Sequence, residues 1–252
     1  LELSQTKPAL SVSHRYYVFE KQSVRTTIQY GVLAGNDNLT SEPFRHNRNL
    51  AFRTDIYELS LVYEIHFYKE QLGHIYDLRG VVGEKSSRIG LYAFVGVGGF
   101  YFNPKAPVGN GYVELRPLGT EGQGLPGGPD EYKLLQFCIP MGVGVRKALA
   151  KNWSAGFELQ YTKTFTDYID DVSGVYYDGE ALSAAHGPLA QYLADPSLGE
   201  QPGQTGLGQQ RGDATDLDAY LFFKFQLHYK VFKYKTSSKK YRTRIRRQKI
   251  VF

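Results

Sequence analysis

Sulfur is scarce in this chain. One cysteine, Cys138, among 252 residues excludes an intrachain disulfide and a cysteine-built zinc cluster. Methionine and tryptophan also occur once each. No run of about 18 apolar residues is present to make a membrane-spanning helix, and mean hydropathy is −0.39. A membrane β-barrel survives both absences, because alternate residues of its strands face the lumen and dilute the average. What is abundant is Gly (27), Tyr (20) and Phe (15), the balance of a Gly- and Tyr-rich β protein. The length suits one large domain or two. Leu1 is not an initiating methionine, which is compatible with loss of a leader and says nothing further.

Acidic residues are missing from one end. Ten Lys and Arg and no acid lie between Lys230 and Phe252, so the rest carries 20 basic against 25 acidic residues. A mildly acidic body (1–231) precedes a strongly basic tail (232–252).

The stretch Trp153–Thr164, WSAGFELQYTKT, sets the pattern of the body. Ala155, Phe157, Leu159 and Tyr161 fall on one side of an extended strand, and Gly156, Glu158, Gln160 and Thr162 on the other. Its length matches the roughly 9–11 tilted residues of a transmembrane β-strand. Seven such segments are expected: Pro8–Val18, Ser23–Ala34, Asp55–Tyr68, Ile89–Phe102, Tyr132–Ala148, Trp153–Thr164 and Leu217–Val231. The connections between them run short, long, medium, long, short and very long, the last being about fifty residues from Phe165 to Asp216. Short turns at one end and long loops at the other are the habit of outer-membrane barrels, whose single-chain bacterial members have even strand numbers. The fold class expected is therefore all-β: a small antiparallel transmembrane β-barrel of eight strands, seven of them visible and the first upstream of Leu1. If the chain starts at Leu1, the barrel is open or completed by another protein.

In this register the inward set includes Arg15, Arg25, Glu58, Glu64, His66, Arg146, Glu158 and Lys224. Acids and bases balance, as a buried network requires if no charge is to stay unpaired. An eight-stranded barrel is just wide enough to be filled by its own side chains. The expectation is a filled structural lumen, with a pore or ligand cavity as the alternative.

Other motifs are weaker. Asp167, Asp170, Asp171 and Asp178 offer oxygen ligands for calcium but lack the EF-hand spacing, and a solvated acidic loop is expected instead. His186 has no serine in a nucleophile elbow to serve. Gly119–Gly128, GTEGQGLPGG, lacks the Lys-Ser/Thr of a phosphate loop and reads as a flexible loop. Arg211-Gly212-Asp213 spells an adhesion tripeptide that three residues produce by chance. No enzyme activity, metal or cofactor is expected.

The tail from Tyr234 has several readings: nucleic-acid binding, contact of Lys233, Lys235, Lys239 and Lys240 with anionic lipid headgroups, a partner-binding segment, or a solvated tail. A periplasmic tail would not meet nucleic acid. Partner binding is favoured, because Tyr241, Thr243 and Ile245 alternate with Arg242, Arg244 and Arg246, followed by Arg247 and an apolar end, a pattern suited to adding a strand to a sheet edge.

Several stretches together resemble a family. NLAFRTDIYELSLVYEIHF (Asn49–Phe67), FYFNPKA (Phe100–Ala106), LRPLGTEGQG (Leu115–Gly124), LLQFCIPMGVGV (Leu134–Val145) and KTFTDYIDDVSGVY (Lys163–Tyr176) look like the PorG-type outer-membrane proteins of Bacteroidetes. The resemblance runs from about Pro8 to Tyr229, and TFTDYIDDVS and PLGTEGQG are its most specific parts. It implies a non-enzymatic subunit of the type IX secretion and gliding machinery, tying a periplasmic ring of a lipoprotein and its partner subunit (PorK/PorN type) to the outer membrane. It also implies a strand before a Gly-Asp/Glu-Leu stretch, whose end Leu1-Glu2-Leu3 resembles. The C-terminus would then be periplasmic, and the grip on the ring is expected in the basic tail and in the Lys69–Arg88 connection, including Tyr76 and Arg79. A surface adhesin working through the Phe165–Asp216 loop and a lipid-acting barrel enzyme are the alternatives.

Overall fold

The computed structural model describes residues 7–70, 89–150, 152–201 and 203–231. Eight strands form one antiparallel sheet: β1 (Ala9–Phe19), β2 (Gln22–Asn36), β3 (Ala51–Tyr68), β4 (Ile89–Val108), β5 (Gly111–Glu114), β6 (Leu135–Ala148), β7 (Trp153–Thr164) and β8 (Ala219–Tyr229). Seven of them are long staves in the order β1-β2-β3-β4-β6-β7-β8, and β5 folds back on the end of β4. The sheet curls until inward side chains of β8 meet those of distant staves. Tyr220 donates to Glu58 of β3 at 2.8 Å, and Arg15 of β1 lies 3.3 Å from His228. The fold is all-β and barrel-like.

Among the described residues β1 and β8 do not pair with each other. Both run from the long-loop end to the short-turn end, so the meander leaves them parallel. Near the long-loop end the seam between them opens on a cavity of about 1400 Å³ lined by Leu10, Ser11, Gln29, Phe222 and Lys224. The stave expected ahead of β1 would lie upstream of Leu1, outside the described residues.

Alternation fixes the faces. Leu10, Phe137 and Phe223 are 73%, 78% and 72% exposed, whereas Ile56, Glu64 and Thr164 are fully buried. Outward apolar residues neighbour one another across the ladders: Ile28 with Leu59, Leu61 with Val97, Val95 with Met141, Val143 with Leu159, and Leu159 with Phe223. They form a continuous apolar belt. His14, paired with Thr26, is a polar interruption on the edge strand.

Inside, small residues face large ones. Tyr92 and Phe94 of β4 lie over Gly144 and Gly142 of β6, where a Cβ would come within 2.3 Å and 2.7 Å of their rings. Pro140 sits between these glycines and Cys138. Proline has no N–H to give the ladder, and the β4–β6 pairing lapses beside it.

Three helices and β5 occupy stretches expected as loops: α1 (Pro43–Arg48), α2 (Gly179–His186) and α3 (Pro188–Ala194). β4 also runs past its expected end at Phe102, because β5 supplies partners from Lys105↔Glu114 to Val108↔Gly111. Together these elements cap the long-loop end of the barrel.

Candidate functional site

Three features have functional content: the packed lumen, the cap over it and the belt around it. In the half of the lumen nearest the cap, Ile56, Phe100, Phe102, Tyr132, Ile169, Tyr220 and Phe222 make an apolar plug. Below it the interior is ionic. The eight inward residues named above come together here; seven are buried, and the Arg15 side chain is 9% exposed. Glu64 accepts from Arg15 at 2.9 Å and from the Ser23 hydroxyl at 2.6 Å, and it pairs with Arg25 at 2.7 Å. Arg25 spans to Glu158 at 3.0 Å, and Glu158 also accepts from the Tyr92 hydroxyl at 2.7 Å. Glu58 accepts from Gln160 at 3.2 Å and from Tyr220. Lys224 lies 3.7 Å from Glu158. Arg146 contacts His66 and the Tyr17 hydroxyl, each at 3.1 Å. Tyr92 is flanked by the Arg15 and Arg146 guanidiniums, 5.2 Å and 4.9 Å from its ring centre.

These contacts reach across the lumen, from β1, β2 and β3 to β6, β7 and β8. They brace the walls and fill the middle of the bore. Tyr92, Ser23, Gln160 and Tyr220 belong to the network and are absent from the eight residues expected. Their signal is the inward half of each alternating strand, which includes aromatics as well as charges.

At the short-turn end Glu70 is buried. It lies 3.5 Å from Arg146 and 2.9 Å from Lys230. Burial raises its carboxyl, but Arg146 and Lys230 outweigh that and hold it below the usual range.

The cap corrects two expectations. Gly119–Gly128 is not a loose loop: Thr120, Glu121 and Gln123 are buried. Glu121 accepts from Ser173 N at 2.9 Å, Gly174 N at 3.0 Å and Arg211 Nη1 at 3.0 Å. Nor is the acidic group a solvated loop. Asp171 is 1% exposed and accepts from the Thr120 and Tyr132 hydroxyls, Asp167 is buried, and Asp170 is half-buried. Asp178 alone is exposed, where its side chain caps the start of α2. Among the described residues no group of three or more His, Cys, Asp or Glu is placed to hold a metal ion. The stretches PLGTEGQG and TFTDYIDDVS thus pack directly on each other. Thr54 of β3 ties the pair to the barrel by donating to Ile169 O at 2.6 Å. Arg211 of the Arg-Gly-Asp tripeptide is interior, 1% exposed, and donates to Glu121, Ala194 O and Asp171 O. A side chain so placed cannot be read by a surface receptor. His186 is exposed at the end of α2.

Burial pushes the Asp167 carboxyl up to about 7 and Asp171 up to about 6. Burial also raises Asp170, with the charge of Asp218 adding to it. A carboxyl raised above its unfolded value contributes stability that is complete in acid and is lost as pH rises through its folded value. The contribution of these carboxyls to the cap is therefore expected to be complete below about pH 4 and to be lost between about pH 4 and 7. Amide exchange of residues 165–175 at matched chemical exchange rates measures this, and the rate should rise with pH.

The belt has marked edges. On the long-loop side Tyr30, Tyr57 and Tyr101 line up on the outer face, with ring centres 5.0 Å and 6.4 Å apart. Asp55 lies beyond them, accepting from the Tyr30 hydroxyl at 3.0 Å and from Lys105 at 3.2 Å. On the short-turn side Trp153 and Tyr229 meet edge to face at 5.0 Å. Aromatic rims bordering an apolar band are the arrangement found at the two interfaces of membrane barrels.

The tail positions Lys233, Lys235, Lys239, Lys240, Arg242, Arg244, Arg246 and Arg247, and Tyr76 and Arg79 of the connection, lie outside the described residues. Comparison with protein-family models, with characterised proteins and with solved structures finds no match for this chain.

Proposed function

We propose that this protein is an integral outer-membrane β-barrel acting as a non-enzymatic anchor, of the PorG type, for a periplasmic ring of the type IX secretion and gliding machinery. The observation that carries the membrane part is the pairing of an outward apolar belt with an inward ionic network. A water-soluble sheet buries its apolar face and exposes its charges, and this one does the reverse. A bore filled by the Arg25, Glu64 and Glu158 cluster suits an anchor better than a conduit.

The secretion part rests on the resemblance. The two most specific stretches of that resemblance meet in the cap, through Glu121, Thr120 and Asp171. The adhesin alternative loses its most obvious motif to the burial of Arg211.

In this account the lipoprotein ring (PorK/PorN type) is gripped at the short-turn side by the basic tail and the Lys69–Arg88 connection. Truncation after Val231 should leave the barrel folded and membrane-bound while removing most of the ring protein that copurifies from outer membranes. Equal recovery with the intact and truncated forms would move the grip to the connection. Recovery with neither form would remove the ring from the account.

A further inference from the structure

The two segments proposed to grip the ring leave the barrel side by side. The connection begins at Lys69 and Glu70, just past the end of β3, and the tail follows Lys230, just past the end of β8. Both starts are fixed. Lys69 Nζ lies over the Tyr17 ring of β1, 4.8 Å from its centre. Lys230 N donates to Asn152 O at 2.7 Å, and Asn152 Nδ2 donates to Lys230 O at 2.9 Å, which ties the end of β8 to the turn between β6 and β7. A further contact joins the two segments to each other: Glu70 Oε1 lies 2.9 Å from Lys230 Nζ.

The chain is shaped to bring Glu70 there. β3 carries a bulge at Phe67, since His66 pairs with Tyr92 and Tyr68 already with Leu91. A bulge bends its strand and re-aims the residues beside it. The Glu70 carboxylate packs against β4 where Gly90 makes room: a Cβ on Gly90 would come within 2.5 Å of Glu70 Oε2 and 3.1 Å of Glu70 N. Glu70 is 4% exposed, whereas the Lys230 side chain is 24% exposed. A buried carboxylate needs a counter-charge, and Arg146, at 3.5 Å, supplies one from the lumen. Lys230 is a second cation, beyond the end of β8, and what it adds is position.

We propose that Glu70 is a positioning residue for partner binding: its bridge to Lys230 holds the start of the basic tail against the start of the Lys69–Arg88 connection, so that a single partner surface meets both. An ion pair between two exposed, mobile side chains would fix little, but here the carboxylate is held in the barrel mouth. Arg146 carries the tie inward to His66 and the Tyr17 hydroxyl, so the folded lumen sets where both segments begin. The positioning role rests on the anchoring role, in which both segments grip the ring lipoprotein.

The experiment compares the full-length protein with Glu70→Gln, Lys230→Met and the two combined. One readout is the rate at which a water-soluble N-hydroxysuccinimide ester acylates the Lys230 amine. The other is the ring lipoprotein that copurifies from outer membranes per folded barrel. Glu70→Gln should speed acylation of Lys230 severalfold. Each single variant should lower ring recovery severalfold, and the double variant should lose no more than the worse single, because both remove the same contact. A bridge that only stabilises the barrel would leave recovery per folded barrel unchanged. Lys230 is partly exposed, so Lys230→Met decides the matter if Glu70→Gln does not fold. Unchanged acylation, parental recovery in the single variants, or additive losses in the double would overturn the positioning role and leave the anchoring role intact. Absence of ring protein from the intact form would overturn the anchoring role, and the positioning role with it.

Discussion

Replacing Arg25 with Met should destabilise the barrel by about 3–5 kcal/mol, the cost of breaking a buried ion pair from one side. Arg25 is 1% exposed and lies between two buried carboxylates, 2.7 Å from Glu64 and 3.0 Å from Glu158. Its guanidinium also stacks 4.8 Å from the centre of the Phe94 ring. Removal leaves Glu64 with Arg15 and the Ser23 hydroxyl, and Glu158 with only the more distant Lys224 and the Tyr92 hydroxyl. Urea unfolding in phospholipid vesicles, followed by the fluorescence of the single tryptophan Trp153, gives the stability. Adding Glu158→Gln to Arg25→Met should recover part of the loss, since it removes one stranded charge. Arg53→Met, on the exposed rim and 3.7 Å from Asp55, should cost no more than about 1 kcal/mol. Similar costs at Arg25 and Arg53 would mean that the lumen is wet and the network adds little.

Leu61→Arg should be the most damaging change on the outer face, at about 2–4 kcal/mol. Leu61 is half-exposed near the middle of β3, beside Val97 of β4. A cation there sits at the centre of the hydrocarbon if the belt faces lipid, while Tyr68→Arg at the end of the same strand should cost about 0–1 kcal/mol. On a water-exposed surface both would fall within about 0.5 kcal/mol of the parent. The gradient between the two positions is the diagnostic, because a lipid-facing belt penalises a cation by its depth and a water-exposed surface does not. The same vesicle-based unfolding assay measures both.

The staves were legible because side-chain alternation is a local property. β7 spans Trp153–Thr164, the range its pattern predicts, and the outward and inward sets of β3, β6 and β8 follow their alternation, as does β2 up to Tyr30, beyond which Val32, expected outward, is buried. The same rule located Arg25, Glu64 and Glu158 inside, though not which partners they take. Pairing across the bore depends on the curl of the whole sheet, which joins residues more than a hundred positions apart. β4 was only half legible. Its outward residues stood out, but the inward Tyr92 and Phe94 break a polar-inside template and make sense only opposite Gly144 and Gly142.

The cap was illegible for the same reason. Its order comes from Arg211, Glu121 and Asp171, which lie far apart in the chain and satisfy one another only once folded. Local signals for its helices were nevertheless present. Asp178 two residues before Glu180 is a helix N-cap, Glu42 caps α1 ahead of Pro43, and Pro188 opens α3 at a position where its missing N–H costs nothing. Gly187, at φ 89°, separates α2 from α3 with a backbone conformation that side chains rarely adopt.

The central claim is that the apolar belt faces lipid, and one spin-label experiment tests it most directly. Because Cys138 is the only native cysteine, a Cys138→Ser background accepts single labels at Leu59, Val97, Val143 and Leu159 on the belt and at Asp213 on the cap. In reconstituted bilayers the belt labels should relax with oxygen and be shielded from a water-soluble nickel chelate, with the reverse at Asp213. Belt labels as open to the nickel chelate as Asp213 would contradict the membrane barrel and the anchoring role built on it.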